Sequence, residues 1–460
     1  MTKGFHLKRV FTGHEWLENI SIHIDPTGHI VQMIEDNNPD RFRVIKGPVV
    51  PGMTNLHCHS FQFAMAGLTE VRRNPVDTFW SWREMMYYFA LRLSPEDQTA
   101  VAAKFYLECL KHGYTSLVEF HYIHNAQDGS CYASPEEMSL AILAAAQKTG
   151  IQLTHLPVFY AHSDFGGQPP HDGQRRFVTS LDTFSKMLGN LKDPCASQGV
   201  NLGIAPHSLR AVSESEMSEL VQLLKTMPSN APMHIHVAEQ MPEVKAAQEY
   251  SNKRPIEMLF DLADVDARWC LIHATHMTSS ETKMVAQSGA TVGLCPVTEA
   301  NLGDGVFNGV EYIEQGGCFG IGSDSNVNCD PFAELQMFEY SQRLIHQKRT
   351  VLASSKMPNT GTNLFSKAAM GGGRAAGRKS GVVSVGYLAD FFELVEENGT
   401  MFDTLPTNSL LDYRMFSQSP RIVGDVISGG KLVVDAGRHP MEERINSEFQ
   451  KSMKALCQEI

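Results

Sequence analysis

The feature that most restricts how this chain can fold is an alternation. Between residues 49 and 325, eight apolar runs read as strands: VVPGMTNLHCH, YTSLVEFHY, IQLTHLPVFYA, NLGIAPHSL, APMHIHVAE, WCLIHATH, ATVGLCP and CFGIGSDS. Helical stretches separate them, among them SPEDQTAVAAKFYLECLKHG and ASPEEMSLAILAAAQKTG, each opening on Ser-Pro-Glu and ending at Gly. Parallel strands need long crossovers, and a helix is the usual one. Eight such units predict an α/β fold of the (β/α)8 barrel type over residues 51–365, with its chemistry at the C-terminal ends of the strands.

The 460 residues exceed a barrel of ~250. Residues 1–50 contain the short strand patterns HLKRVFTG, ISIHIDPTGHIVQMI and FRVIKGPVV, with Asp25-Pro26-Thr27-Gly28 as a hairpin turn. Residues 366–460 read similarly, through GVVSVGYLADFFELV and GDVISGGKLVVDAGR, before a final helix. The expectation is a small β-sandwich domain built from both termini, with the barrel inserted between its halves.

Polar residues collect where the predicted strands end. His57 and His59 lie two apart on the first, so a regular strand points both to one face. The fourth ends in His207 with Arg210 after it, and the fifth carries His234 and His236 with Glu239 just beyond. His273 and His276 follow on the sixth and Asp324 on the eighth. Imidazole nitrogens with a carboxylate suit zinc or a similar divalent ion that keeps one position open for water. Asp324 suits a base that takes a proton from that water, and Glu239 is placed to hand one to a leaving nitrogen. His234 and His276 read as structural. FWSWREMMYYF reads as core packing with Arg83 as its odd member. GGGRAAGRKS lacks the Gly-Lys pair of a phosphate loop and reads as a helix with flexible glycines.

A formal charge of −12 argues against a nucleic-acid surface. No stretch is apolar enough to span a membrane, and the N-terminal residues lack a signal-peptide core. Nine scattered cysteines with no Cys-x-x-Cys point to a reducing cytoplasm.

The order of these residues resembles the amidohydrolase superfamily. His57-x-His59 follows Pro51-Gly52-Met53, and His236, His273 and Asp324 come after. Gly386-Tyr387-Leu388-Ala389-Asp390 and Ser428-Gly429-Gly430-Lys431 look like its closing motifs, so the likeness covers nearly the whole chain. Two-metal members place a carboxylated lysine on the fourth strand. NLGIAPHSL has none, which favours the single-metal deaminase branch. NLHCHSFQFAMAGL, FWSWRE, VEFHYIH, DFGGQPP, PHSLRAV, HIHVAEQ and TEANLGDG resemble its iminohydrolases, whose substrate carries a formimino group and two carboxylates. The resemblance implies one divalent metal per chain, zinc, on His57, His59, His236 and Asp324, with Glu239 and His273 at the chemistry. It implies Gln62, Arg83, Tyr122, His207 and Arg210 as substrate contacts, with Arg83 and Arg210 each taking a carboxylate, and a homodimer. Phe63 departs from the pattern where a basic residue is expected, and Asn326 where a His is common. The alternatives are a deaminase of guanine, cytosine or an adenosine derivative, and a non-catalytic assembly protein on the same fold.

Overall fold

A computed structural model describes residues 3–71, 79–325, 328–396, 399–417 and 422–458. The chain opens with β1 (Lys3–Phe11), β2 (Trp16–Ile24), β3 (Ile30–Glu35) and β4 (Arg43–Pro51). The middle holds β5 (Met53–Cys58), β6 (Tyr114–His121), β7 (Gln152–Phe159), β8 (Asn201–Leu202) and β9 (Ala205–Pro206). It continues with β10 (Met233–Val237), β11 (Trp269–His273), β12 (Thr291–Leu294) and β13 (Cys318–Ile321). The last strands are β14 (Phe391–Leu394), β15 (Val423–Ser428) and β16 (Lys431–Val434).

Both ends of the chain share one seven-stranded sheet, ordered β16-β15-β14-β4-β1-β2-β3. Its buried face brings Phe5, Leu7, Ile22 and Ile45 against Phe391 and Ile427, each such side chain contributing roughly 1.5–3 kcal/mol when removed from water. The turn at Asp25 forms as expected: its Oδ1 accepts from Thr27 N at 2.8 Å and His29 N at 3.0 Å. Gly28 in that turn has φ +89°, and a Cβ there would stand 2.5 Å from the Gly429 carbonyl. Only glycine lets the N-terminal hairpin lie against the β15–β16 turn.

The middle of the chain forms two parallel sheets, β5-β6-β7-β8 with β9 beside β7, and β10-β11-β12-β13. Isolated parallel bridges connect them on both sides, Cys58 to Asp324 and Ile204 to Met233 with Ser208 to His236. Every strand is followed by helical or loop segments, so the sheet faces are covered and the strands read as nearly continuous apolar runs.

Three details differ from the sequence reading. The first run splits at Gly52, where a Cβ would meet Thr115 Oγ1 at 2.0 Å, so Val49–Pro51 belong to the terminal sheet. The helix after Ser134-Pro135-Glu136 starts only at Glu137 and has no side-chain cap, whereas Ser94 caps its helix by a reciprocal bond with Asp97. The glycines of helix Thr360–Ala375 serve contact and not flexibility. A Cβ on Gly371 would lie 1.9 Å from the Phe319 carbonyl, because the helix backbone rests directly on β13.

Candidate active site

The strand ends converge as the spacing predicts. His57, at the end of β5, is fully buried, and His59 follows it with 4% exposure. Both Nε2 atoms stand 3.2 Å from the same Asp324 oxygen. Asp324 lies just past β13 and exchanges backbone bonds with β5: its N–H donates to the His57 carbonyl at 3.0 Å, and His59 N–H donates to its carbonyl at 3.2 Å. Asn55 holds the preceding turn, donating to Ser323 Oγ at 2.7 Å and accepting from Ser323 N at 3.0 Å. His236, on β10, brings its Nε2 to 3.0 Å from His57 Nε2. His273 closes the group: one ligand atom from each of His57, His236, His273 and Asp324 lies within 4.8 Å of the others.

The backbone around the group is strained. Ala238, His273, Ala274 and Asp324 all have positive φ, between 43° and 65°. Non-glycine residues in this region cost roughly 1–3 kcal/mol each and persist where the surroundings over-determine them.

Hydrogen bonding assigns the ring tautomers. His59 Nδ1 donates to the Phe120 carbonyl and His236 Nδ1 to the His207 carbonyl, both at 2.9 Å. With Nδ1 donating to a carbonyl, each ring turns its Nε2 inward. Burial lowers the His57 pKa to about 3 and that of His236 well below the ordinary value, so these rings stay neutral. Burial alone would raise Asp324, but the His57 and His59 rings outweigh it and hold the carboxyl well below the usual range. Neutral nitrogen lone pairs and a carboxylate oxygen packed 3.0–3.2 Å apart repel one another unless a cation lies among them. Ligands about 2.0–2.1 Å from a tetrahedral zinc stand about 3.3 Å apart. The donor set thus fits a single divalent metal.

His273 differs from the other rings. Burial disfavours its charge, yet Glu239, Glu299 and Asp324 together push its pKa up to about 10. Its Nδ1 lies 3.3 Å from Glu299 Oε1. It is a charged donor beside the group. Glu239 is half-buried, and burial foremost, with Asp324 and Glu243 adding, raises its pKa. Its backbone N–H donates to Glu243 at 2.9 Å, which anchors the turn.

These residues form one wall of a cleft of about 710 Å³, its open mouth included. Gln62, Arg83, Tyr122, His207 and Arg210 all line it, so every expected contact is brought together. Gln62 donates to the Tyr122 hydroxyl at 2.9 Å, and Arg83 Nε to the Tyr87 hydroxyl at 2.7 Å. Arg210 Nε is buried and has no hydrogen-bond partner among the described residues. Glu243, Tyr160 and Glu239 offset the burial of the guanidinium and keep it charged. Sequence reasoning missed Tyr87, Tyr160, Phe177 and Ser208, which line the same cleft. FWSWREMMYYF divides: Phe89 is core, whereas Trp82, Arg83, Met86 and Tyr87 face the cleft, and the Phe79 and Trp80 side chains lie outside the described residues. Phe63 packs between Phe105 and Phe449, at centroid distances of 5.7 and 5.9 Å, away from the cleft. Asn326 lies outside the described residues. His234 and His276 are structural, each bonded at 2.8 Å to a backbone carbonyl, of Ala375 and Asp304.

Residues 49–433 match the model of the amidohydrolase family. Over 449 residues, 98% of each chain, the sequence is 43% identical to a formimidoylglutamate deiminase of Pseudomonas aeruginosa. The fold matches a crystal structure of an amidohydrolase from Brucella melitensis with TM-score 0.93, at 45% identity and over 99% of each chain. It also matches a zinc-bound adenosine deaminase from Xanthomonas campestris with TM-score 0.81, at 19% identity, over 99% of this chain and 98% of that one.

Proposed function

We propose that this chain, which belongs to the amidohydrolase family, hydrolyses N-formimino-L-glutamate to N-formyl-L-glutamate and ammonia, a step of histidine degradation. The observation that carries the substrate assignment is Arg210, a guanidinium at the cleft with its Nε buried and unpaired among the described residues. A buried donor on a charged group is costly unless a ligand supplies the acceptor. Guanidinium groups match carboxylates through parallel N–H···O bonds, and Arg83 offers a second one. Two carboxylates of one small substrate answer both. A flat nucleobase answers neither, which disfavours the deaminase alternative. An intact ligand set disfavours the assembly-protein alternative.

His57, His59, His236 and Asp324 hold the metal in this reading, and zinc fits the nitrogen-rich donor set. When bound, such an ion lowers the pKa of a coordinated water toward ~7 and so supplies a nucleophile at neutral pH. Asp324, kept ionised, accepts the proton released from the attacking water. His273, charged and tied to Glu299, donates a hydrogen bond that orients that water. Glu239, whose pKa burial raises, protonates the departing nitrogen. Arg210 and Arg83 fix the carboxylates while Gln62, Tyr122 and His207 border the formimino end.

On this reading residues 51–365 form a (β/α)8 barrel, supported by the two parallel sheets and the bridges on both sides. Residues 1–50 and 366–460 form the small β-sandwich domain. Among the described residues no helix is long and apolar enough to cross a membrane. The enzyme works in the cytoplasm as a homodimer, a state that light scattering on the purified protein checks directly.

The deciding experiment is ammonia release by metal-replete protein from N-formimino-L-glutamate, beside guanine, cytosine and adenosine. Turnover on formiminoglutamate alone is expected. Silence on it with turnover of a nucleobase overturns the substrate.

A further inference from the structure

We infer that Glu119 is a positioning residue, holding the His57-Cys58-His59 segment in place behind the metal site; the inference rests on the metal reading above. Glu119 sits on β6 opposite Cys58, is only 1% exposed, and pairs with no lysine or arginine among the described residues. Three donors end on its carboxylate instead, and a fourth, the Cys58 thiol, is shared with the Val118 carbonyl at 3.3 Å. Ser60 N–H and Ser60 Oγ donate to Oε1 at 2.9 and 2.8 Å. Tyr106 Oη and Cys58 Sγ donate to Oε2 at 3.0 and 3.4 Å. Gln98 completes the network by donating to Ser60 Oγ at 3.1 Å.

The arrangement gives Cys58 its place: the thiol points away from the metal ligands on either side of it and into this network. It also brackets His59. The residue before it and the residue after it are both bonded to Glu119, while its own N–H is bonded to Asp324. Without that carboxylate the chain can start its 3-10 turn at Ser60 in more than one way, and His59 Nε2 loses its fixed direction. Burial raises the Glu119 pKa, and the hydrogen bonds from Ser60 and Tyr106 oppose that rise without cancelling it. Partners that orient metal ligands are worth about 10–100-fold in metal affinity or activity when removed.

Two variants grade the loss of these contacts. In Glu119→Gln one oxygen remains for Ser60, whereas the amide NH2 faces Tyr106 and Cys58, which must turn from donors into acceptors. Glu119→Leu removes every contact. Zinc affinity is measured by chelator competition on the intact protein, with no substrate present, and kcat and KM are then measured at saturating zinc. Glu119→Gln is expected to fold with an unchanged circular dichroism spectrum and to bind zinc about 10-fold more weakly. At saturating zinc its KM stays near wild type, and its kcat exceeds that of Glu119→Leu. Wild-type zinc affinity in both variants overturns the inference. If Glu119→Leu does not fold, wild-type zinc affinity in Glu119→Gln alone overturns it. Failure of the wild-type protein to turn over formiminoglutamate removes the proposed substrate and leaves this affinity test standing.

Discussion

Replacing Arg210 by Met tests the substrate assignment most directly. Among the described residues the Arg210 Nε is buried and unpaired, on a residue that is itself half-buried at the cleft. Met keeps much of the aliphatic bulk and loses the charge and the fork of donors. Breaking a fully buried, hydrogen-bonded ion pair costs about 3–5 kcal/mol. Since the cleft is open to water at its mouth, about 2–4 kcal/mol is the appropriate range here. At 1.36 kcal/mol per decade that is a loss of about 30- to 1,000-fold in kcat/KM. A carboxylate distant from the reacting carbon is held equally in the ground and transition states, so most of the loss belongs in KM. Arg210→Lys restores only part of it, because an ammonium cannot offer two parallel N–H groups. The assay compares formiminoglutamate with two analogues, each lacking one carboxylate. The analogue without the carboxylate that Arg210 binds starts out slow and is nearly indifferent to Arg210→Met, which is the signature of a shared contact. A kcat/KM within threefold of wild type for Arg210→Met would refute the reasoning. So would an equal loss on all three substrates, which marks Arg210 as merely structural.

Glu239→Gln should keep wild-type zinc content and lose about 10²–10⁴-fold in kcat, the usual contribution of a positioned proton donor; near-normal turnover removes Glu239 from the proton path. Chelation should abolish activity and lower Tm, with both restored by zinc. A free ion at 1,000 times its Kd stabilises the fold by about 4 kcal/mol, so a Tm indifferent to chelator contradicts the site. Acid should destabilise the fold before the carboxylates titrate. Burial holds His155 at about 3 and both His124 and His234 at about 4, far below their unfolded value. The folded state therefore binds fewer protons than the unfolded one between pH 6.5 and 4. Stability present above pH 6.5 is lost as pH falls through that window, by about 1.4 kcal/mol per pH unit per group at most. Neither ring nitrogen of His155 has a hydrogen-bond partner among the described residues. His155→Leu should accordingly raise Tm at pH 5 more than at pH 7.5, and an unchanged pH dependence of Tm sets His155 aside.

Periodicity and spacing were enough to read the parallel α/β organisation and the convergence of His57, His59, His236, His273 and Asp324 from the amino acids alone. A strand's side chains alternate, so a two-residue spacing already says that two rings share a face, and a strand-helix repeat already says which ends meet. The contribution of both termini to one sheet was legible for the same reason, from short alternating strands at each end. Contacts set by packing were not legible. Glycines 371–373 look flexible in sequence and are there because the helix backbone rests on Phe319 of β13, Thr54 of β5 and Ser380. The FWSWRE stretch looks like core, yet Trp82 and Arg83 face the cleft. Nothing near Glu119 in sequence marks it as the carboxylate on which Cys58, Ser60 and Tyr106 converge. The separate chemistry of His273, charged among neutral rings, also belongs to the tertiary structure. Its pKa sets burial against three carboxylates brought in from just beyond β10, just beyond β13 and the helix Pro296–Leu302. Local sequence sets which way a side chain points along its own element, whereas the dielectric and the charges around it come from elements far away in the chain, and only the fold brings those to one place.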